Sequence, residues 1–521
     1  MNFYRFAVVT GVIALAIPQG WAQTSPKRIL LPNRTLKYLV VPPRVESLEE
    51  LVTKGEWYGR LRLNTFRWDW KEPVYREKDG FNLGTKDNWA IGAGASLTLK
   101  TAYYYGLGAT VDAYTSQNPW HMDRSDAAIV KAGKDTFSRY DAVDENRWQM
   151  NVIAQLYAEY RLRKSSLKYG RQKFESLLTK SNDTKMIPNT FEGVSLVSKD
   201  LPEHTFKLAW FTKQKLRDHT RFHDVITYAD RSFTGLDTEE KLLAAWANND
   251  DSGGHRGLSW QNFVASGKST DHDLLVAEVW SRRLPRLRAM VNYTAVPGVL
   301  SYATAEAHYA VGAGDFTLVP GVRYMRQLDN GGGAVGGASV TGLIGPYGAA
   351  SGQSGGYKDP NSLDGWLVCA RLDLKSSAPW KLRLGYSHVG DEADIVAPWR
   401  GFPTGGFTRI MGQYNWTANT DTWMLRGDYD FGKAGWVKGL TAMFRLGFED
   451  YDDNKKVVID GKEVALQRTD RNVLQLDAIY RIPSVPGLQA RVRMAFVDAR
   501  KRLDGIDPSY NEYRFEMNYL F

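Results

Sequence analysis

The chain has 521 residues, one cysteine, and 67 basic against 58 acidic side chains, for a formal charge of +9. A single cysteine excludes an internal disulfide framework, and the modest positive balance says only that anions are better tolerated than cations. With 48 glycines, 17 tryptophans and 27 tyrosines, the composition suits strands, turns and interfacial aromatics better than helices.

The first residues have the form of an export signal: Arg5 supplies charge, Phe6 to Ile17 is an apolar run of about 12 residues, and Gly20-Trp21-Ala22 places small residues before a cleavage expected after Ala22. That run is too short to cross a bilayer about 30 Å thick, and no later stretch supplies the roughly 18 apolar residues of a membrane helix. Mean hydropathy is −0.40. A membrane barrel escapes both tests, because alternating strands hide their lipid-facing half from any averaging window. Residues 23–55, with Pro42-Pro43 ahead of a helix-like SLEELV, are assigned to the periplasmic side of such a barrel and to no chemistry.

Alternation begins at Glu56. In EWYGRLRLNTF, Trp57, Gly59, Leu61 and Leu63 share one face while Arg60, Arg62 and Asn64 share the other. A soluble sandwich has the same period, so the connections decide. Short joints fall at 163–166, 198–203, 282–286, 311–315, 376–380, 431–439 and 483–487. Long polar segments fall near 113–146, 173–190, 214–270, 327–362, 389–420, 450–470 and 499–511. Short and long joints alternating along the chain are the wiring of a transmembrane barrel with tight periplasmic turns and long outer loops.

Counted this way, residues 56–521 form an all-β, antiparallel barrel of about 18 strands with both termini on one side. The strands are expected near 56–68, 88–98, 104–114, 147–162, 165–172, 191–198, 204–213, 272–281 and 286–295 in the first half. In the second half they are expected near 301–310, 316–326, 363–374, 380–389, 421–431, 438–449, 471–481, 487–498 and 512–521. The glycine-rich stretch 331–356 has no periodicity and is read as an outer loop. Within 173–190, Asn182, Asp183, Lys185 and Asn189 sit among Leu177, Leu178, Met186 and Ile187, apolar side chains that need a wall to lie against. This loop is read as folding into something hollow, although on these residues alone a surface loop with an Asx turn at Asn182 and Asp183 is the better account.

The pattern K-x-G-R-Q followed by S-N-D-x-K-M-x-P-N-T-F-x-G resembles the constriction loop of the OprD family of outer-membrane porins. The later runs GYSHVGDE, TWMLRGDYDF, GLTAMFRLGFEDYD and LQARVRMAF are similar to that family in order and spacing, over most of the chain after Trp57. The resemblance implies a monomeric, passive channel without cofactor in a bacterial outer membrane, touching lipid and lipopolysaccharide. The aromatic end of YNEYRFEMNYLF resembles the signal that the outer-membrane assembly machinery reads.

Wall strands repeatedly set basic residues on the polar face, including Arg60 and Arg62, Arg383, Arg445, and Arg491 with Arg493. Residues two apart on one strand rise about 6 to 7 Å, so a carboxylate can pass between planar guanidinium forks without losing all its hydration. The competing reading is that such arginines pair with lumen carboxylates such as Glu159, Asp373, Asp428 and Asp477. The resemblance puts Arg491 and Arg493 on the family's basic track, Arg445 in the matching strand, and Lys185 at the basic position of the constriction loop. The second inward loop, 397–416, offers Arg400, Thr404, Thr408 and Arg409 but no carboxylate, where the family keeps an acidic pocket for cationic groups. That departure favours acids without an amino group over basic amino acids. No metal, nucleic-acid or hydrolase signature stands out: Asp450, Asp452 and Asn454 mimic a calcium loop, but Lys455 occupies its glycine position. The alternatives are a channel exporting an anionic polysaccharide, a secreted β-rich hydrolase and a surface adhesin.

Overall fold

The computed structural model describes residues 27–521 apart from 79, 132, 134, 227–257, 259, 339–356, 412–413, 453–455, 460–461 and 466–468. The export signal and most of the glycine-rich stretch therefore lie outside the described residues, as does Asn454. Alternation resolves into β1 (Glu56–Trp70), β2 (Asn88–Lys100), β3 (Leu107–His121), β4 (Gln149–Leu162), β5 (Ser165–Gln172) and β6 (Thr190–Ser198). Next come β7 (His204–Lys215), β8 (Leu274–Ser281), β9 (Leu287–Val296), β10 (Leu300–Tyr309), β11 (Phe316–Asp329) and β12 (Gly365–Ser376). The wall ends with β13 (Trp380–Val389), β14 (Thr420–Asp430), β15 (Leu440–Asp450), β16 (Arg471–Arg481), β17 (Leu488–Ala499) and β18 (Tyr510–Leu520).

Each strand pairs antiparallel with the next, and β18 closes on β1 from Tyr510 opposite Trp70 to Leu520 opposite Arg60. Closure satisfies the backbone groups that an open edge would leave bare in hydrocarbon. All eighteen expected strands are present, with small shifts at their ends. One joint departs from the expected alternation, because β9 and β10 are linked at the long-loop end by only Pro297, Gly298 and Val299. Gly298 turns there at φ +75°.

The outward face is apolar and exposed, as Trp57, Leu61, Leu167 and Tyr169 illustrate. Trp89, Trp120 and Trp423 stand exposed near the long-loop end, and Tyr105 and Trp436 near the short-turn end. Indole and phenol rings favour such belts because one edge is apolar and the other carries a polar group. Inside, loops from the long-loop end fill the tube. Leu177, Leu178, Trp399, Phe407 and Trp416 belong to one buried cluster with wall residues such as Phe211, Tyr302 and Met325.

The leading segment has two parts. Ser47 caps a short helix, Leu48–Thr53, by accepting from the Glu50 N–H at 3.2 Å. Ahead of it, Arg28–Leu30 pairs with Leu36–Tyr38 as a small hairpin. Tyr38 stacks on Tyr58 with ring centroids 4.8 Å apart, and Leu36 packs with Tyr58 and Leu520. These wall residues face the lumen, so the hairpin lies inside the tube. The sequence reading gave this segment no role there.

Candidate functional site

The loop from 173 to 189 enters the lumen between β5 and β6. Gly170 and Gly193 face each other where the two strands meet the loop, at φ +121° and +149°. A Cβ on Gly170 would lie 2.4 Å from the Leu156 carbonyl oxygen, and one on Gly193 2.2 Å from that of Trp210. Only glycine fits this pair of bends. Leu178 and Ile187 are fully buried, as a loop seated against a wall requires.

Arginines seat the loop's tip. Arg62 donates from Nη1 to Asp183 Oδ1 and from Nη2 to the Asp183 carbonyl, both at 2.8 Å, while Arg60 bonds the second carboxylate oxygen. Asn64 donates to the Lys185 carbonyl. Asn182, Asp183 and Asn189 are buried, and the Asn189 N–H donates to Ser181 O at 2.7 Å. The Lys185 ammonium sits 4.0 Å from the centre of the Phe66 ring. Arg60 and Arg62 were expected as rungs open to a solute. They are instead at 1 % and 5 % exposure, clamped on Asp183, because a loop carboxylate fills the space between their forks.

The second inward loop, between β13 and β14, is held the same way. Arg383 donates to Gly406 O at 2.8 Å and pairs with Asp373, and Arg371 donates to the same carbonyl at 2.7 Å. Arg383 is thus an anchor rather than an open rung. Thr404 bonds Asn415 Oδ1 at 2.6 Å, and Thr408 bonds Ser387 at 2.6 Å and Asn415 Nδ2 at 2.9 Å, so neither hydroxyl is offered to a solute. The two loops touch where Lys180 N–H donates to Trp399 O at 3.0 Å, and Arg400 also reaches Asp135, on the loop between β3 and β4, at 3.2 Å.

Between the loops and the β15–β18 and β1 wall lies a cavity of about 390 Å³. Ten lysine and arginine side chains line it against two carboxylates, Asp477 and Glu512. Of the expected residues it gathers Asn182, Lys185, Arg400, Arg409, Arg445, Arg491 and Arg493. It adds Lys131, Arg217, Arg471 and Arg514, which sequence reasoning passed over. Arg514 was legible, since it shares the polar face of its strand. Lys131 and Arg217 were not, because they arrive on outer loops.

The wall charges are graded by their partners. Glu159, Asp373, Asp428 and Asp477 each hold a basic residue, with Arg426–Asp428 at 2.6 Å and Arg491 Nε to Asp477 Oδ1 at 2.8 Å. Among the described residues Arg445 has only neutral acceptors, Arg409 O at 3.2 Å and Gln475 at 3.3 Å. The Arg493 guanidinium, on a residue 8 % exposed, has no hydrogen-bond or ion-pair partner among the described residues. Arg383, Arg426 and Arg445 face one another across adjacent strands, so basic charge runs around the wall as well as up it. Facing the cations are rings: Trp68 stacks on Tyr510 with centroids 3.9 Å apart, and Arg409 lies 4.7 Å from the Phe402 ring centre.

Residues 66–255 match the family model for the outer membrane porin, OprD family. OccK3 (OpdO) of Pseudomonas aeruginosa superposes with a TM-score of 0.58 at 18 % identity, covering 91 % of this chain and 97 % of that one. The chain therefore has the fold of an OprD-type porin barrel. OpdK of the same organism, solved with vanillate, gives 0.60 at 16 % identity over 89 % and 98 % of the two chains. OccAB3 of Acinetobacter baumannii gives 0.60 at 17 % over 89 % and 99 %. No curated protein matches the chain closely.

Proposed function

We propose that this OprD-type barrel passes small carboxylate-bearing solutes by diffusion, with aromatic acids the best fit. One observation carries the reading: a lumen cavity lined by ten cations and two carboxylates, in which the Arg493 guanidinium stands without an ion-pair partner among the described residues. A guanidinium already held in a polar cavity offers an entering carboxylate two parallel bonds without first breaking a protein ion pair. Lys185, Arg445, Arg491 and Arg493 lie around one cavity, close enough for a solute to shift from one to the next. The rings of Trp68, Phe402, Tyr414 and Tyr510 line the same space and supply a flat apolar surface for an aromatic body. The absence of an acidic residue from 397–416 leaves an amino group without a counterpart there. OpdK, a structural neighbour, has been solved with vanillate, an aromatic carboxylate.

Export through a cleaved leader, a monomeric state, and contact with lipopolysaccharide and the assembly machinery complete the reading. Liposome swelling with a panel of benzoate-like acids, basic amino acids and neutral sugars tests it. Acids should enter fastest at matched size. Equal entry of sugars and acids, or cation-selective current in a planar bilayer, refutes it, while block by an anionic polymer alone would favour polysaccharide export.

A further inference from the structure

The leading hairpin's tip, Pro32-Asn33-Arg34, reaches into the lumen below the constriction loop. Asn33 Nδ2 donates to Glu175 Oε1 on that loop at 2.9 Å. On the other side Arg34 Nε donates to Glu516 at 2.8 Å and Nη1 to Gln489 Oε1 at 3.0 Å, both on the barrel wall. The tip therefore bridges loop and wall, and Pro32 borders the basic cavity. Arg34 is 3 % exposed, and its Nη2 has no hydrogen-bond partner among the described residues. The contacts of the constriction loop and the hairpin form one network. Glu516 is shared by Arg34 and, at 3.4 Å, by Arg62, while Arg60 donates to Arg34 O at 2.9 Å and also bonds Asp183.

Resting on the channel reading above, we propose that the hairpin of residues 28–38 is a second narrowing of the pathway, and that Arg34, by bringing a third guanidinium to Arg60 and Arg62 against the two carboxylates Asp183 and Glu516, keeps that narrowing net positive and so selective for anions. A solute leaving the basic cavity toward the periplasm meets Pro32, at the hairpin's tip, next. The hairpin's hold is local: an apolar patch of Leu36, Tyr38, Tyr58 and Leu520, plus the polar contacts of two residues at its tip. The barrel closes through β18 and β1 without it, so the element can be removed while the wall stays intact. Glu516 then keeps Arg62 as its cation.

Three variants of the mature chain test the proposal. Asn33→Cys with Glu175→Cys, in a Cys369→Ala background, should be joined in the folded barrel by a short bifunctional thiol reagent that spans the two side-chain lengths. Deleting residues 27–40 should raise unitary conductance in planar bilayers and weaken anion preference, with the heat-modifiable gel mobility of a folded barrel retained. Arg34→Gln, which leaves the hairpin in place, should shift the reversal potential in a salt gradient toward cation permeability. Failure of the cysteine pair to cross-link overturns the seating. Cross-linking with conductance and reversal potential unchanged by both deletion and Arg34→Gln overturns the selectivity role while leaving the channel reading intact. A folded wild-type barrel that passes no current overturns the channel reading itself and the role of Arg34 with it.

Discussion

Asp183→Ala isolates what holds the constriction loop in the lumen. The carboxylate is fully buried and receives both Arg60 and Arg62, themselves 1 % and 5 % exposed. Alanine leaves Arg62 with Glu516 at 3.4 Å and the residue-183 carbonyl at 2.8 Å, and Arg60 with the Arg34 carbonyl at 2.9 Å. Removing one partner from a buried pair costs about 3 to 5 kcal/mol, and these residual contacts argue for the lower end, about 3 kcal/mol. The loss falls on the seat of the loop, since the strand ladders that close the wall do not involve Asp183. At tenfold for each 1.4 kcal/mol, excursions of the loop out of the lumen become roughly 100-fold more frequent. Single-channel recording should show new high-conductance sublevels and low-frequency open-channel noise, with unchanged heat-modifiable mobility on gels. Quiet recordings at the wild-type level would refute the clamp, as would loss of the folded barrel in place of loop movement.

Arg493→Ala should reduce carboxylate entry and anion preference without lowering the unfolding temperature, because no ion pair is broken. Arg491→Ala should also lower stability, because it strands Asp477, and comparing their reversal potentials and melting curves checks the distinction. Gly401 lies where the two inward loops meet, and a Cβ there would stand 2.1 Å from the Leu178 carbonyl oxygen. Gly401→Val should force the loops apart and change unitary conductance, while the same change at Gly312, with open space around its Cβ position and no left-handed backbone, should leave conductance unaltered. At the outer rim, hydrogen bonds from Lys71 and Ser509 hold the Asp507 carboxyl down to about 2. Its folded value is depressed, so this contact is fully formed above the ordinary carboxylate range near about 3.9 and is lost as pH falls toward about 2. Titration of the Asp507 side chain by NMR should find it still ionised at pH 3.5, and Lys71→Met should move its midpoint upward.

Period-two alternation, joint lengths and turn residues determined the wall before any coordinates. A strand's side chains have only two directions to point, so local sequence fixes which residues face lipid and which face water. That is why Arg60, Arg62, Arg445, Arg491 and Arg493 could be placed on the lumen side from sequence. Apolar side chains in the 173–190 segment likewise signalled a loop that folds inward. Which lumen residues meet depended on strand tilt, register and the path of the loops, all non-local. Asp183 lies more than a hundred positions from the arginines it occupies, and Arg34 is 482 positions from Glu516. Tertiary structure therefore decided that Arg60, Arg62 and Arg383 anchor loops, that Arg493 faces the cavity without an ion pair among the described residues, and that a leading segment given no chemistry enters the lumen. The physical reason is that side-chain direction is a property of the local backbone, whereas a charge's freedom to bind a solute depends on whether some distant part of the chain has already neutralised it.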